Sequence, residues 1–518
     1  MSTINSANIE DPLFNKLSRS VKQNEKNNNK KDAPTEQEIQ RAEAEQIRQY
    51  EAFNDMIARN STRKTTLQSV KVVGGNSCRS SFLEAQIQPL LDASGQDLAT
   101  VIAASDKTYN ALNSFGIFKS VNVGLDVAPP GLFYSAAGPQ DLDLVATVTL
   151  QQAKRFTART GTDLGNGEGT GYANFVLRSL FGGAETLSFD ASIGTRTRSS
   201  YLLNFTSPLL NSSIWRGELL AFTSSRRIPW AAHEQVLKGL SAKIRSPHVE
   251  AGYEAVLRTI TSVNAGASDM VRTLAGDGIK TSLFWSMIHD KRNDMLMPSS
   301  GYYFKFGNEI GGLLGPEYGD KPFLKTTFES QVATGFSLGA GSSLSSDGSP
   351  IEKLFHQKKL AGGVADDIIM QYSLRGGLLY SYNGPSHFMD RFFLGGANDV
   401  RGFQLNAMGP RQDQDSLGGD VFVAQGASLL ARIPGLARTN PLRFLAFVNG
   451  GSVLELDKND IKGTLLEAAT KPSIAAGFGL AYRHPVARFE LNVTLPLIAR
   501  ESEGLRKGLQ FGVGLSFL

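Results

Sequence analysis

The 518 residues of this chain are enough for about two or three ordinary domains. Its 53 basic and 49 acidic residues leave a net charge of only +4, which argues against a nucleic-acid binder held by a broadly positive surface. The single cysteine, Cys78, cannot form an intrachain disulfide. A mean hydropathy of −0.17, with no apolar run near ~20 residues, excludes a helical membrane protein. It leaves open a membrane barrel, whose strands need apolar residues only at alternate positions.

The first 63 residues predict little packed structure. Residues 1–35 are rich in Asn, Lys, Asp and Ser and cannot bury much apolar area, which predicts a disordered segment. Met1–Ser20 has no apolar core and mixes acids with bases, unlike a secretory signal or an acid-poor transit peptide. Residues 36–63 have a helical composition with a weak apolar stripe, which favours a solvated helix over a partner-binding one.

Residues 64–152 predict one small α+β domain. The pattern gives a strand, two helices and two further strands in the order β-α-α-β-β, with a Pro129-Pro130-Gly131 turn between the last two. The predicted elements are Leu67–Val73, Ser80–Leu91, Asp97–Ser114, Phe118–Val127 and Leu142–Gln151.

Residues 153–518 repeat alternating runs of about ten residues between turns rich in Gly, Asn, Ser and Pro, the pattern of membrane barrels. In Leu509–Leu518, Arg488–Pro496 and Ile474–Arg483, one face is apolar and the other is small or charged. Soluble β-sandwiches also alternate, but a region this long would need several of them, and no linker or repeat separates any. We therefore predict an all-β transmembrane barrel of about sixteen antiparallel strands, preceded by the α+β domain.

Two insertions interrupt the alternation. Ser342–Asp367 is rich in Gly and Ser and then in Lys, which predicts a solvent loop. Asn264–Gly278 predicts a short helix around Met270–Leu274.

The most unusual loop is 382–418. Between Asp390 and Phe403 it carries two arginines, three phenylalanines and paired glycines, whereas a simple strand connection is brief and polar. Arg401 lies between Val400 and the Gly402-Phe403 pair, and glycine permits close backbone approach, which suits a loop that folds inward. Taken alone, an ordinary surface loop with a buried phenylalanine explains this stretch equally well.

Val400-Arg401-Gly402-Phe403 resembles the Val/Ile-Arg-Gly-Phe loop of the outer-membrane protein assembly and translocation superfamily. This family includes the bacterial BAM barrel, two-partner secretion transporters, the chloroplast import pore and the mitochondrial sorting and assembly machinery (SAM) barrel. Residues 64–152 resemble its polypeptide-transport-associated (POTRA) domain, including Gly116-Ile117-Phe118 before a strand. Phe181–Glu185 looks like a turn of the mitochondrial branch, and Asp290–Asn293 with Pro298–Gly301 resembles the mid-barrel turn.

The resemblance implies that Arg401 is anchored on the inner barrel wall. In the family the arginine meets acids on the two following strands, but the matching positions here are Leu429 and Asn449, neither of which is ionised. Glu490 faces the predicted lumen on a nearby strand, so we expect Arg401 to bond Asn449, Glu490 or both. An arginine pointing to solvent is the weaker alternative.

Gln510–Phe517 is similar to the polar-x-Gly-x-x-hydrophobic-x-hydrophobic signal of mitochondrial barrel precursors. The resemblance implies a lateral gate between the first strand, predicted at about Lys154–Thr162, and the last. The residues assigned to this gate are Arg155, Phe156, Thr157, Ala158 and Arg159 on the first strand, and Gln510, Phe511, Gly512, Val513, Gly514, Leu515, Ser516 and Phe517 on the last.

The implied function is insertion of β-barrel precursors into the mitochondrial outer membrane by the core subunit of the SAM complex. A barrel without a cleaved leader is expected to reach that membrane from the cytosol, with its POTRA domain in the intermembrane space. The implied partners are accessory subunits on the cytosolic face, precursors bound by their C-terminal strand, the lipid bilayer and a second barrel protein, with no nucleic acid. Two alternatives stay open: a protein-translocating or metabolite pore of the chloroplast-import or secretion type, and a soluble all-β binding protein.

Enzyme chemistry finds little support. The six histidines show no paired metal-ligand spacing, and Gly335–Gly339 matches a Gly-x-Ser-x-Gly elbow without the strand-turn-helix context. Gly165–Gly171 favours a flexible hairpin over a phosphate loop, since no Gly-Lys-Ser/Thr follows. We predict a non-enzyme without a cofactor or metal. The histidines are His233, His248, His289, His356, His387 and His484.

Overall fold

A computed structural model describes residues 55–128, 142–165, 168–336, 367–412, 415–436 and 440–518. Several predictions lie outside these ranges. They are the disordered segment 1–35, the first part of the helical segment 36–63, the Pro129-Pro130-Gly131 turn, the tip of the 165–171 hairpin, almost all of the Ser342–Asp367 loop and the 337–339 part of the Gly-x-Ser-x-Gly match. Residues 55–60 are helical.

The chain divides into two compact units. One takes its described residues from 55–73, 87–110 and 122–149, and the other from 74–86, 111–121 and 150–518. In the first unit, one face of each helix is apolar and is buried with strand residues of a small sheet. The core residues of this unit are Leu90, Ala93, Val101, Ala104, Leu144 and Ala146.

The small sheet and its helices follow the predicted order. The elements are β1 (Thr65–Val73), α1 (Ser80–Asp92), α2 (Leu98–Ser114), β2 (Phe118–Val127) and β3 (Leu142–Gln152), each within two residues of its predicted bounds. The strand order is β1-β3-β2, and β1 runs parallel to β3.

The predicted fold class of the remaining chain is confirmed, because sixteen strands form one antiparallel sheet in which chain neighbours are sheet neighbours. Its strands, with a two-residue pair inside the long loop, are β4 (Phe156–Gly165), β5 (Glu168–Arg178), β6 (Thr186–Gly194), β7 (Thr197–Pro208), β8 (Arg216–Ile228), β9 (His233–Arg245), β10 (Val249–Thr261), β11 (Gly276–Asp290), β12 (Gly301–Gly311), β13 (Phe323–Phe336), β14 (Ile368–Ser381), β15 (Arg411–Gln412), β16 (Asp415–Ser416), β17 (Val421–Arg432), β18 (Leu442–Leu454), β19 (Ser473–Arg483), β20 (Arg488–Ile498) and β21 (Gly508–Gly514). The pair β15–β16 forms a separate sheet.

Alternation along the strands separates an apolar outer wall from a polar inner wall. In β20, Leu491 and Val493 are exposed, whereas Glu490 and Asn492 are buried. Rings stack across neighbouring strands on the outside: Phe156, Phe175, Phe189 and Tyr201 lie 6.3 to 6.4 Å apart from β4 to β7. Such rows of aromatic side chains are typical of the interfacial girdles of membrane barrels.

The last strand ends earlier than predicted. β21 stops at Gly514, so Leu515, Ser516 and Phe517 lie outside it, and Phe517 is buried rather than facing lipid. Asn398 Nδ2 donates to the Val513 carbonyl at 2.6 Å, and two buried guanidinium groups lie over the Phe517 ring, which favours the inward turn. The first strand also starts later than predicted, at Phe156, so Arg155 precedes it.

Two short α-helices and four 3₁₀ turns occur between the described barrel strands. The helix predicted near Met270 is present as α3 (Asp269–Thr273). A ten-residue helix, α4 (Ile461–Thr470), was not predicted, although Asp460 caps it by accepting the Gly463 N–H at 2.8 Å. A 3₁₀ turn covers Phe388–Asp390 in the long loop. None of the helices in the described ranges is both long and apolar enough to cross a bilayer.

The Phe181–Glu185 turn is a compact structure within the second unit. Glu185 accepts the N–H of Gly183 at 2.9 Å and Nη2 of Arg79 at 3.1 Å. A Cβ on Gly183 would lie 1.9 Å from that same Nη2 atom, so the close approach of Arg79 requires glycine.

Candidate functional site: the inward loop and the edge strands

The loop that follows β14 carries Arg401 into the barrel. Gly402 has φ +89°, and a Cβ there would lie 2.7 Å from Cβ of Ala475 on β19. Only glycine combines this backbone conformation with this approach to the wall. The conformation directs the Arg401 side chain into the interior, where it is fully buried.

Arg401 forms a two-point ion pair with Glu490 on β20. Its Nε donates to Oε2 at 3.0 Å and its Nη2 to Oε1 at 3.2 Å, and both side chains are fully buried. Nη1 donates to the Leu518 carbonyl at 2.7 Å, and the guanidinium lies 4.6 Å from the centre of the Phe447 ring. Arg401 therefore has carboxylate, carbonyl and aromatic partners around its planar group.

A second buried arginine shares the same carboxylate. Arg488 Nη2 lies 2.6 Å from Glu490 Oε1, and its Nη1 donates to Gln371 Oε1 at 3.2 Å. Its guanidinium lies 5.0 Å from the centre of the Phe517 ring. One carboxylate thus balances two cations, with an aromatic face nearby.

Of the two family-matched positions, Asn449 lies at the loop and Leu429 does not. With its amide oriented by its neighbours, Asn449 Oδ1 accepts the Arg401 backbone N–H at 2.7 Å and Nδ2 donates to the Ala475 carbonyl at 3.2 Å. Leu429 faces outward and is exposed, because the inward positions of β17 are those of the alternate set. The structure thus brings Arg401 together with Glu490 by its side chain and with Asn449 by its backbone.

Val400 and Phe403 fix the apolar side of the motif. Both are fully buried in a cluster inside the barrel that also contains Leu394, Met408, Ala424, Val453, Ala475 and Leu518. Phe403 also forms a β-bridge with Leu505, which lies before β21. The loop is therefore packed against the wall as well as hydrogen-bonded to it.

Gln510 of β21 clamps the loop backbone. Its Oε1 accepts the Gly402 N–H at 2.9 Å, and its Nε2 donates to the Phe403 carbonyl at 3.2 Å. With Asn398, which holds the Val513 carbonyl, Gln510 ties the last strand to the loop rather than to the first strand. Asp399 braces the loop by pairing with Arg375 and by accepting the Gly395 N–H at 2.8 Å.

At the start of the loop, buried Asp390 is held by residues of β10, β11 and β13 on the inner wall. Asp390 pairs with Arg258 of β10 at 2.7 Å and with Lys280 of β11 at 3.6 Å, and its carbonyl accepts Lys325 Nζ of β13 at 2.8 Å. His387 lies in the loop beside this cluster, outside the strands. Burial, with the positive charge of Arg258 nearby, lowers the pKa of His387 to about 4.

The join between β4 and β21 differs from every other join of the sheet. The two strands approach each other, but among the described residues no β-ladder connects them, whereas each other pair of neighbouring barrel strands has one. β21 is also short: it pairs with β20 only from Arg488 to Thr494, and Leu495–Ile498 of β20 extends beyond it. In a closed barrel the backbone of every strand is normally hydrogen-bonded to both neighbours. The join between β4 and β21 is therefore the one with the least backbone pairing among the described strands.

The predicted gate residues lie on both sides of this join, with the differences noted above. Phe156 to Arg159 lie in β4, and Arg155 precedes it, with Nη2 donating to the Ser179 carbonyl at 3.1 Å. Phe511 faces outward and Gln510 inward.

Comparisons with known proteins fit this geometry. Residues 179–517 match the Omp85 superfamily domain. The chain belongs to the Omp85 superfamily. This Omp85 chain is 32% identical over 498 residues to a SAM50-like protein of Schizosaccharomyces pombe, covering 94% of this chain and 98% of that protein. It is 30% identical to the sorting and assembly machinery component 50 homolog A of Xenopus laevis, covering 82% of this chain and 85% of that one.

A solved structure shares the fold of this Omp85 chain. BamA from Haemophilus ducreyi lacking POTRA domains 1–3 superposes with a TM-score of 0.63 at 13% identity, covering 87% of this chain and 84% of that chain. The resemblance to the mitochondrial sorting and assembly branch, first seen in single motifs, thus extends over most of the Omp85 chain.

Sequence reasoning missed several residues that hold the Omp85 loop. Arg258, Lys280 and Lys325 each carry charge at inward positions of alternating runs, a signal that could have marked them. His248 and His289 come together with ring centres 5.7 Å apart, although they are distant in sequence. No group of three or more potential metal ligands occurs in the part of the chain that the structure describes.

Proposed function

We propose that this protein is the core subunit of a mitochondrial SAM complex and that it folds and inserts β-barrel precursors through a lateral gate between β4 and β21. The observation that carries the proposal is the missing ladder at this join, among the described residues, in an otherwise fully paired sheet. The names of the relatives, sorting and assembly machinery components, support the choice of function.

The chemistry of the gate is backbone hydrogen bonding. An unpaired strand edge in a bilayer leaves N–H and C=O groups without water, so an edge gains much by pairing with an incoming strand. The amphipathic last strand of a precursor can add to such an edge, with backbone bonds supplying affinity and alternating side chains checking the register. Exchange of one pairing for another needs no nucleotide.

We infer that the inward loop serves as the latch of this gate. Gln510 and Asn398 bind β21 from the lumen, and Phe517 packs under Arg401, so the loop keeps the last strand in place without help from β4. Release of these contacts would free β21 to meet a precursor. Gln510→Leu, which leaves the Gly402 N–H and the Phe403 carbonyl without this partner, is expected to increase precursor cross-linking to β21.

The wider setting follows from the same proposal. The protein would lie in the mitochondrial outer membrane with its β1–β3 domain in the intermembrane space, where that domain can receive precursors as a POTRA domain. Accessory subunits would bind on the cytosolic face, and a second barrel protein would be a further neighbour in the membrane. The named relatives are machinery components rather than enzymes, which supports a non-catalytic role.

The test is to lock the gate in full-length protein imported into mitochondria. In a Cys78→Ser background, Phe511→Cys is combined with a cysteine at each position from Phe156 to Thr160 in turn, and the pair that forms a disulfide is selected. Insertion of a newly imported, radiolabelled barrel precursor is then measured with and without reductant. We expect insertion to be lost in the oxidised protein and restored on reduction.

The matched control locks a permanent ladder. Phe189 and Leu203 are cross-strand neighbours of β6 and β7, so Phe189→Cys with Leu203→Cys adds a disulfide where the strands already pair. This control should insert precursor normally. Normal insertion by protein with a verified disulfide across β4 and β21 would disprove the gate.

A second candidate function is a translocating pore. The observation that favours it is a cavity of about 660 Å³ on the inner wall, whose lining includes the charged residues Lys243, Glu250, Lys280 and Glu309. A pore would pass its cargo through this cavity with the join closed. Undiminished transport by the locked variant would therefore favour the pore over the gate.

A further inference from the structure

The outer wall over β7 to β10 carries a groove. Leu203, Ala221, Leu240 and Ala255 are direct cross-strand neighbours at one level of these strands. The leucines are 44% and 65% exposed, and the two small alanines between and beside them leave a depression. The resulting apolar cavity measures about 660 Å³, within the usual range for a small-molecule site.

A lysine lies at the next level of the same wall. Tyr201, Thr223, Lys238 and Leu257 are neighbours across the four strands, and Lys238 lines the groove. Lys238 is exposed and makes no ion pair with any described residue. A lysine facing lipid is strongly destabilising at the middle of the bilayer and nearly neutral close to the interface, so this level suits the edge of the hydrocarbon.

The wall becomes polar beyond Lys238. The next level contains Ser199, Ser225 and Thr259 with one apolar residue, Val236, and in the level after it Arg227 lies opposite Glu234. Arg198 and Arg227 line a second cavity of about 550 Å³ there. Glu234 is already engaged, because it accepts hydrogen bonds from Ser225 and Ser262 and pairs with Arg198 at 3.4 Å.

From this order of chemistry we propose that the outer wall over β7 to β10 binds one anionic phospholipid. One acyl chain would lie in the groove over Ala221 and Ala255. The phosphate would lie between the Lys238 ammonium and the Arg227 guanidinium and would bind both. This proposal does not depend on the gate between β4 and β21.

Charge complementarity decides the occupant. The groove lies on an exposed apolar wall, where lipid is the surrounding solvent, so an acyl chain fills it without ordering a protein segment. The polar end of the groove has three cations, Lys238, Arg198 and Arg227, and one carboxylate, Glu234, which already has partners. This excess of positive charge favours a negative headgroup over a zwitterionic one. Lysine can extend its apolar stem along the wall and place its charge at the headgroup level.

The test counts lipids held by the purified full-length barrel. Native mass spectrometry from micelles with equal amounts of phosphatidylglycerol and phosphatidylcholine should show preferential retention of phosphatidylglycerol. Lys238→Gln should lower that retention by about fivefold, the value of one basic residue at an anionic surface. Ala255→Leu fills the groove with the charges intact and should lower it as well.

Matched controls separate this site from general effects. Lys305→Gln removes a lysine that lines the inner cavity, and Ala242→Leu enlarges an outward alanine of β9 that does not line the groove. Both should retain lipid as the unmodified protein does, and retention should survive excess inorganic phosphate. Equal retention of the two lipids, displacement by phosphate alone, or unchanged retention in both Lys238→Gln and Ala255→Leu would overturn the proposal.

Discussion

Arg401 and Arg488 share the carboxylate of Glu490. We therefore expect the loss of Glu490 to lower the free energy of unfolding more than the loss of Arg401 does. Arg401→Gln leaves Glu490 paired with Arg488, so one buried charge still has a partner. Glu490→Gln leaves two buried guanidinium groups side by side without the side-chain carboxylate that they share. Because breaking a buried pair costs about 3–5 kcal/mol, we expect Arg401→Gln to cost about 3 kcal/mol and Glu490→Gln about 5 kcal/mol of unfolding free energy.

Urea unfolding of the full-length barrel in lipid vesicles, followed by the mobility of the folded form on unheated gels, measures both values. The control is Arg483→Gln, which removes a partly exposed arginine paired with Asp294 and should cost no more than about 1 kcal/mol. The double variant Arg401→Gln with Glu490→Gln should cost less than the sum of the single changes, since it leaves only one unpaired cation. The reasoning is refuted if Arg401→Gln costs more than Glu490→Gln, or if neither differs from the control.

Two further predictions concern the loop itself. Gly402→Ala should destabilise the barrel by about 2–3 kcal/mol, because it adds strain at positive φ to a clash with Ala475, whereas Gly508→Ala has positive φ with open space and should cost only about 1 kcal/mol. Equal melting temperatures for the two variants would contradict this. Burial lowers the pKa of His387 to about 4 in the folded protein, whereas the unfolded chain binds this proton below pH ~6.5. The free energy of unfolding should therefore fall by about 2 kcal/mol by pH 5, because protonation favours the unfolded chain. His387→Asn should lose less over the same range in a pH series of melting temperatures, and an identical loss would show that another group is responsible.

The barrel could be predicted from sequence because alternation is a local property. In β20 the polarity of each side chain predicts which face of the sheet it occupies. Leu491 and Val493 are exposed and Glu490 is buried, as this alternation predicts. The helix α3 is also predictable from a local signal, because Ser268 caps its first turn. Helix α4 was missed because an expectation of continuous strands outweighed its cap at Asp460, although the cap is a local signal.

The site depended on contacts that no local pattern contains. The inward turn of Phe517 reverses the alternation of the preceding strand because Arg401 and Arg488 offer their cations to its ring, and these residues lie far apart in the chain. The match of Leu429 to an acidic family position failed because one residue of register decides which face a strand residue occupies. The anchor of Asp390 joins three strands, and only the folded sheet shows which inward cations meet it.

The partners of Arg401 have a consequence for how the chain completes its own folding. Glu490 and Leu518 lie 89 and 117 residues further along the chain, so Arg401 gains these partners only when the strands that follow the loop have assembled. Closing so long a segment carries an entropic cost that only the finished structure repays. A barrel without β20 would keep the Arg401 cation without the Glu490 carboxylate, so the buried ion pair stabilises only a barrel in which β20 is in place.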